Sequence, residues 1–438
     1  MRLPLCRHLA SHACNGVKGF QSDESLRSLC YSGRLLEAVE LLCSTGSHAE
    51  PQTYALLLQE SINWKAHMLG RRIHSQIVVT GFSPDEYLKT KLLMLYAKDG
   101  DLKSAHKLFD SIPKRSVFPW NAMISGYVRK GLGEETLDMF CLMRMSGQSP
   151  DQFTFASVLR ACAQVAMLDY GKRIHGIMVK TLVKANVIVS SALVDMYFKC
   201  SSPEDGWRAF VFSEERNIIT WTALISGCGH HGDAVEVLEL FQRMIDEGFR
   251  PNRITFLAIL TACSRRGLVD EGWKYFYSMS REYNIRPKGE HYAAMVDLLG
   301  RSGKLDEAYK LVKTTAFEKH SVIWGALLGA CRIHGDQKLV ELAAERFFAL
   351  APNNAGKYIV LSNFYAALGM WNNVKDVREM VKTLGLKKDP AWSSIEIQGK
   401  VHTFLAGDKY HDQIEYIEET IKKLMCSLIE VDCISSLI

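Results

Sequence analysis

Residues 117–151 read VFPWNAMISGYVRKGLGEETLDMFCLMRMSGQSPD, and the fold follows from how this stretch is punctuated. Pro119 stands in the first turn of an expected helix, where its missing N–H costs nothing. Trp120, Met123, Ile124 and Tyr127 follow at three- and four-residue spacing, the apolar stripe of one helix face. Gly131 and Gly133 break the chain. Leu137, Phe140, Leu142 and Met143 then carry a second stripe, which Gly147 and Pro150 end. Two short helices cannot bury both stripes alone, but stacked copies can.

Such copies are present on both sides. Ile73-His74 returns as Ile174-His175, Tyr96 as Tyr197 and Trp120 as Trp221, each 101 residues later, and Trp324 follows Trp221 by 103. The long period divides into unequal units of 35, 35 and 31 residues: 117–151, 152–186 and 187–217. The pattern extends back through 86–116 and 51–85 to a degenerate unit, and forward through 218–252, 253–288 and 289–320.

Composition narrows the chemistry. Of 438 residues 47% are hydrophobic and 23% charged, which argues for a packed chain. No apolar run reaches the roughly 18 to 20 residues that cross a bilayer, so no membrane contact is expected. A net charge of +5 suits a nucleic-acid binder without identifying one. The 12 cysteines form no C-x-x-C pair, and Ala-Cys recurs at Cys162, Cys263 and Cys331, as small core residues would. The start holds Arg2, Arg7 and Lys18 with no acid before Asp23, the composition of an organellar transit peptide.

The motifs WNAMISGYVRKG, MYFKCSSPEDG, WTALISGCGHHG, FLAILTACSRRGLVDEG and YAAMVDLLGRSGKLDEA resemble the pentatricopeptide repeat family of plants, in its P-L-S triplet subclass. The resemblance implies an all-α fold, a right-handed superhelical solenoid of helix-turn-helix repeats with a small hairpin-containing C-terminal extension. The expected domains are a transit peptide at 1–20, a degenerate first repeat at 21–50 and an L-S-P-L-S-P-L-S array at 51–320. An E-type extension at 321–389 and a partial E+ segment at 390–438 would follow. In that segment Ile395–Ile397 and Val401–Leu405 alternate around Gln398-Gly399-Lys400, a hairpin pattern. Here Ala391, Trp392 and Ser394 depart from the family's usual Gly, Cys and Trp.

The resemblance also implies which side chains meet RNA. Family members read one base per repeat with the fifth and last residues, a mode open to single strands. Carried over, those pairs are Thr90 with Ser116, Asn121 with Asp151, Ser191 with Asn217 and Thr222 with Asn252. A fifth-position hydroxyl accompanies purines and an asparagine pyrimidines. A last-position Asp accepts from the imide N–H of a keto base, while Asn suits an amino-bearing base. The expected site is 5′-purine-U-N-A-A-N-N-3′. Ala55/Asp85, Ala156/Asn186 and Leu257/Lys288 offer no polar fifth residue, and Ala293/His320 departs as well. The bland reading is that Asn, Ser and Thr satisfy exposed N–H groups at helix starts.

No catalytic centre, metal or cofactor is expected. The family's deaminase domain would need H-x-E and a later C-x-x-C, and neither occurs after Glu396. His48-Ala49-Glu50 has no cysteine pair behind it, and His230-His231 reads as polar surface at an inter-helix turn. The resemblance therefore implies an RNA-binding monomer of mitochondrion or chloroplast that specifies sites of C-to-U editing. Residues 321–425 would recruit a deaminase-bearing pentatricopeptide repeat protein and other editing-complex proteins. A splicing or transcript-stabilising RNA binder and a protein scaffold remain open alternatives.

Overall fold

In the computed structural model each repeat unit opens on the first residue of a helix. The first helices of the array are Pro51–Asn63, Glu86–Asp99, Val117–Lys130, Gln152–Gln164, Val187–Lys199, Ile218–His231, Arg253–Arg266 and Gly289–Arg301. A second helix follows in every unit, as Gly133–Met145 and Leu168–Lys180 do in the two 35-residue units at the centre. The structure describes residues 16–46, 48–181, 186–231, 234–386, 392–397, 400–405 and 413–435. Of the expected transit segment, residues 1–15 lie outside these, and the rest begins the helix Gly16–Tyr31. The chain folds as two units, Met1–Gly227 and Cys228–Ile438.

Two local devices set the helix ends. The last residue of a repeat is the N-cap of the next helix: Asp85 accepts from the Leu88 N–H at 2.8 Å and Asp151 from the Thr154 N–H at 2.8 Å. Such caps satisfy donors that the first turn leaves open, each contributing about 1 kcal/mol. The fifteenth residue of the repeat then turns the chain in the left-handed region. Gly100, Gly131, Gly267 and Gly303 stand there, but so do Lys65, Ala166 and Ser201, with φ between 54° and 57°. A Cβ in that region costs about 1 kcal/mol or more.

Gly133 is not a chain breaker. It is the first residue of the second helix, and a Cβ there would lie 2.5 Å from the Val165 side chain. Glycine lets the two units close. Leu142, expected on the buried stripe, is exposed; Leu137, Phe140 and Met143 are buried.

The landmarks at period 101 prove to be locks between helices. His74 Nδ1 lies 2.7 Å from the Tyr96 hydroxyl, and His175 Nδ1 lies 2.9 Å from that of Tyr197. Trp120 meets Phe109 edge to face at 4.8 Å between centroids, with the Arg115 guanidinium 4.3 Å from the Phe109 centroid. Trp221, Phe210 and Arg216 repeat the stack at 4.7 Å for both contacts. Aromatic pairs and cation–π contacts of this kind add to the burial term that stacks the units. Cys162, Cys263 and Cys331 are buried, and burial pushes the Cys263 thiol up to about 11 and that of Cys331 to about 12.

In Cys228–Ile438 one core runs from Ala293 through Trp324 and Phe347 to Val377. It joins the last repeat to Ser321–His334, Gln337–Leu350, Ala355–Ala367 and Trp371–Thr383, two further helical hairpins that cover its apolar end. Beyond them Trp392–Ile397 and Lys400–Leu405 form an antiparallel hairpin, with Ile397 opposite Lys400. Lys400 is therefore a strand residue rather than part of the turn, and Gln398, Gly399 and Ala391 lie outside the described residues. The helix Ile414–Ser435 follows.

Candidate nucleic-acid interface

In repeats 86–116 and 117–151 the fifth and last residues come near one another because of the helix starts. The last residue caps the next first helix, and the fifth lies one turn into its own first helix. In repeat 117–151 this brings Asn121 and Asp151 into contact. The Asn121 amide nitrogen donates to Asp151 Oδ1 at 3.0 Å and Oδ2 at 3.1 Å. The Asn121 amide oxygen accepts from the Thr154 hydroxyl at 2.6 Å.

Thr90 and Ser116 line one cavity of about 510 Å³, with Tyr87, Lys91, Lys114 and Phe118 around them. The Thr90 hydroxyl donates to the Glu86 carbonyl at 2.8 Å, so it turns acceptor lone pairs outward, and Ser116 is exposed with no capping bond. A second cavity of about 310 Å³, lined by Arg27, Gln52, Ala55 and Gln59, shares Tyr87 and Lys91 with the first.

Ser191 and Asn217 are not joined by a hydrogen bond among the described residues. Ser191 is only 5% exposed and donates to the Ile188 carbonyl at 3.0 Å. Asn217 Oδ1 accepts from the N–H groups of Ile219 at 2.8 Å and Thr220 at 3.1 Å. Thr222, 7% exposed, donates to the Ile218 carbonyl at 2.6 Å. In the second unit Asn252 Oδ1 accepts from the Thr255 N–H at 3.0 Å.

Capping thus fixes which polar atoms each of these residues has left. Oδ1 is committed to backbone N–H groups in each case. What remains is the second carboxylate oxygen at Asp151, an acceptor, and the NH2 group at Asn217, a donor.

A stripe that the helix periodicity conceals completes the rim. In three successive units the second residue is large, apolar and exposed, Tyr87 at 60%, Phe118 at 67% and Phe153 at 59%; Ile188 at the next such position is half-buried and Ile219 exposed. Exposed rings and branched chains beside polar readers suit the stacking of unpaired bases. The sequence signal was there, a bulky apolar residue just off the buried stripe in unit after unit.

Cations gather on the same helices. Burial first, then the neighbouring Arg129 and Lys91, holds the Lys98 ammonium below the ordinary lysine range. Lysine and arginine this close relieve their repulsion when a polyanion joins them. Of the other candidates, Glu50 pairs with Arg27 and His48 packs near Phe82. His230 and His231 end a helix rather than occupy a turn; His230 is exposed, and the His231 side chain and Gly232 lie outside the described residues. The described residues contain no His, Cys, Asp and Glu group able to hold a metal.

Comparison with known proteins gives these features relatives. The model of the PPR repeat family matches residues 115–164 and 216–265, the PPR repeat model 90–117, 254–283 and 290–314, and the E motif model 334–396. Pentatricopeptide repeat-containing protein At4g16470 of Arabidopsis thaliana is 52% identical over 95% of this chain and 83% of its own length. The chloroplastic CRR2 of the same plant is 40% identical over 82% of this chain, and the mitochondrial At2g03880 is 38% identical over 90%. The chain spans only 55% and 61% of those two. Among solved structures, the pentatricopeptide repeat protein PPR10 from maize superposes at a TM-score of 0.56, with 14% identity over 83% of this chain and 58% of that one. Its complex with an 18-nt psaJ RNA element superposes at 0.60, with 15% identity over 84% and 60%. At such identity the likeness is one of fold.

Proposed function

From the premise that the chain belongs to the pentatricopeptide repeat family, we propose that it binds a single-stranded organellar RNA of defined sequence and specifies sites of C-to-U editing. The observation that carries the RNA reading is the rim of Met1–Gly227. Polar side chains of fixed donor or acceptor character stand beside exposed apolar residues, with cations on the same helices. Thr90 and Ser116 read a purine, Asn121 and Asp151 U, and Ser191 with Asn217 and Thr222 with Asn252 read A. Ala55 and Ala156 are buried and present only methyl groups, so their repeats space the readers.

The editing role rests on the E motif at 334–396 and on the helices that continue the array there. Exposed Leu350, Leu368, Trp371 and Met380 give that end an apolar surface for a protein partner bearing the deaminase, within 321–425. Organelle-named relatives and the basic first residues support an organellar site of action.

The test is sequencing of organellar RNA from a plant that lacks the protein. Loss of conversion at one or a few cytidines, each shortly 3′ of a purine-U-N-A-A match, is the expected result. Intact editing with altered splicing or transcript ends replaces the editing role by RNA processing. No change in any transcript removes both.

A further inference from the structure

Within repeat 117–151 the reading pair has a third member. Thr154 is fully buried and belongs to the next repeat, yet its hydroxyl donates to Asn121 Oδ1 at 2.6 Å. The same hydroxyl accepts from the Asp151 N–H at 3.1 Å, and the Thr154 N–H donates to Asp151 Oδ1 at 2.8 Å. One side chain thus touches both readers. Its single proton has two acceptors within reach, Asn121 Oδ1 at 2.6 Å and Asp151 Oδ1 at 2.9 Å, and the amide oxygen is the nearer.

This arrangement decides which way the Asn121 amide faces. The carboxylate accepts only, so it takes the NH2 end; the threonine hydroxyl holds the oxygen end. The nearly equal distances to Oδ1 and Oδ2 are those of one N–H shared between two oxygens, which leaves the second amide hydrogen to donate elsewhere. Asp151 Oδ2 receives only that shared bond, so it keeps a lone pair for a donor. The pair presents an N–H next to a carboxylate oxygen. Uracil offers the complement, a carbonyl beside an imide N–H, whereas cytosine places an acceptor nitrogen against the carboxylate. A rotated amide would present oxygen beside oxygen and lose that match.

We propose that Thr154 is a positioning residue for base recognition, setting the polarity of Asn121 and with it the preference of this repeat for uracil over cytosine. The inference rests on the reading of Asn121 and Asp151 as base readers. The equivalent hydroxyls of Thr220 and Thr255 donate to the amide oxygens of the last residues, Asn217 at 3.4 Å and Asn252 at 3.3 Å, and the fifth residues there, Ser191 and Thr222, have no amide to orient.

The experiment uses the full chain and four RNA oligonucleotides built on purine-U-N-A-A, differing only in the base at the U position. Wild type prefers U over C, and Asn121→Ala loses that preference. Thr154→Val, which keeps the shape and removes the hydroxyl, narrows the U-to-C ratio about fivefold. Its preference at the two A positions stays intact, and Thr154→Ser restores the ratio. Thermal unfolding of each variant accompanies the binding. A purely structural role lowers the melting temperature and weakens all four RNAs equally, and that outcome overturns the inference. An unchanged ratio in Thr154→Val, beside a lost ratio in Asn121→Ala, overturns it too while leaving the readers in place. A wild type with no base preference at this position removes the reading of the pair, and the inference with it.

Discussion

Repeats 117–151 and 152–186 are the same length and fold into the same helix pair, yet their rims differ. The first carries Asn121 at its fifth position, hydrogen bonded to Asp151; the second carries a buried Ala156. The interiors are made to one plan, with Phe140 and Phe155 packed across the boundary at 6.1 Å between ring centroids. Stacking is therefore indifferent to what the rim holds. A repeat with a polar rim and a repeat with an apolar one can alternate in one array, because the groups that build the solenoid are not the groups on its rim.

Four perturbations strain this contrast, beginning with the largest effect. Trp120→Ala removes a buried ring and its contact with Phe109, and should cost about 3 to 5 kcal/mol. Denaturant unfolding checks it, and RNA affinity should fall for every sequence alike. Asn121→Ala should instead cost about 1 to 3 kcal/mol of binding to RNA bearing the cognate base. Stability should change little, as titrations against matched and mismatched oligonucleotides with parallel melting curves would show.

The third concerns pH. Burial holds the His175 imidazole below the ordinary histidine range, only partly offset by Asp205. A lowered folded value means the neutral form is favoured by folding. That stabilisation is whole above the unfolded value of about 6.5, declines below it and is lost as pH falls through the lower folded value. The lock to Tyr197 should therefore loosen as pH falls below about 6.5, and His175→Gln should flatten that part of the melting-temperature profile. Repeat 117–151 has Phe140 at the position of His175, while its own Tyr127 meets His106 of the preceding repeat.

The smallest effect lies at the fifteenth residue, where 117–151 has Gly131 and 152–186 has Ala166 at φ 54°. Ala166→Gly should relieve the left-handed strain and stabilise by about 0.5 to 1 kcal/mol after the entropy of glycine is counted. A rise of one to a few degrees in melting temperature is the signature; a fall would mean that the turn carries no strain.

The starts of these first helices were legible to the residue. Val117, Gln152, Val187, Ile218 and Arg253, chosen from spacing alone, are the first residues of helices. Caps and apolar spacing are local properties, and local chemistry can be read from one strand of letters. What escaped depends on contact between distant letters. His74 and Tyr96 repeat at period 101 because they bond to each other, which a period does not say. Gly133 looked like a break because its partner, Val165, is a whole helix away. Phe118 and Phe153 were passed over because an apolar residue reads as core until a structure shows it exposed. The proposed reader positions came from family resemblance, and the fold shows that Asp151 and Asn217 cap helices, as the blander reading of the sequence expected.

The most direct test of the account is selection of RNA from a randomised single-stranded pool by the purified chain, followed by sequencing. Enrichment of purine-U-N-A-A is expected, with Asp151→Asn shifting only the second position, from U toward C. Enrichment of nothing, or of a motif that Asp151→Asn leaves untouched, would contradict the claim that the rim of this array reads bases.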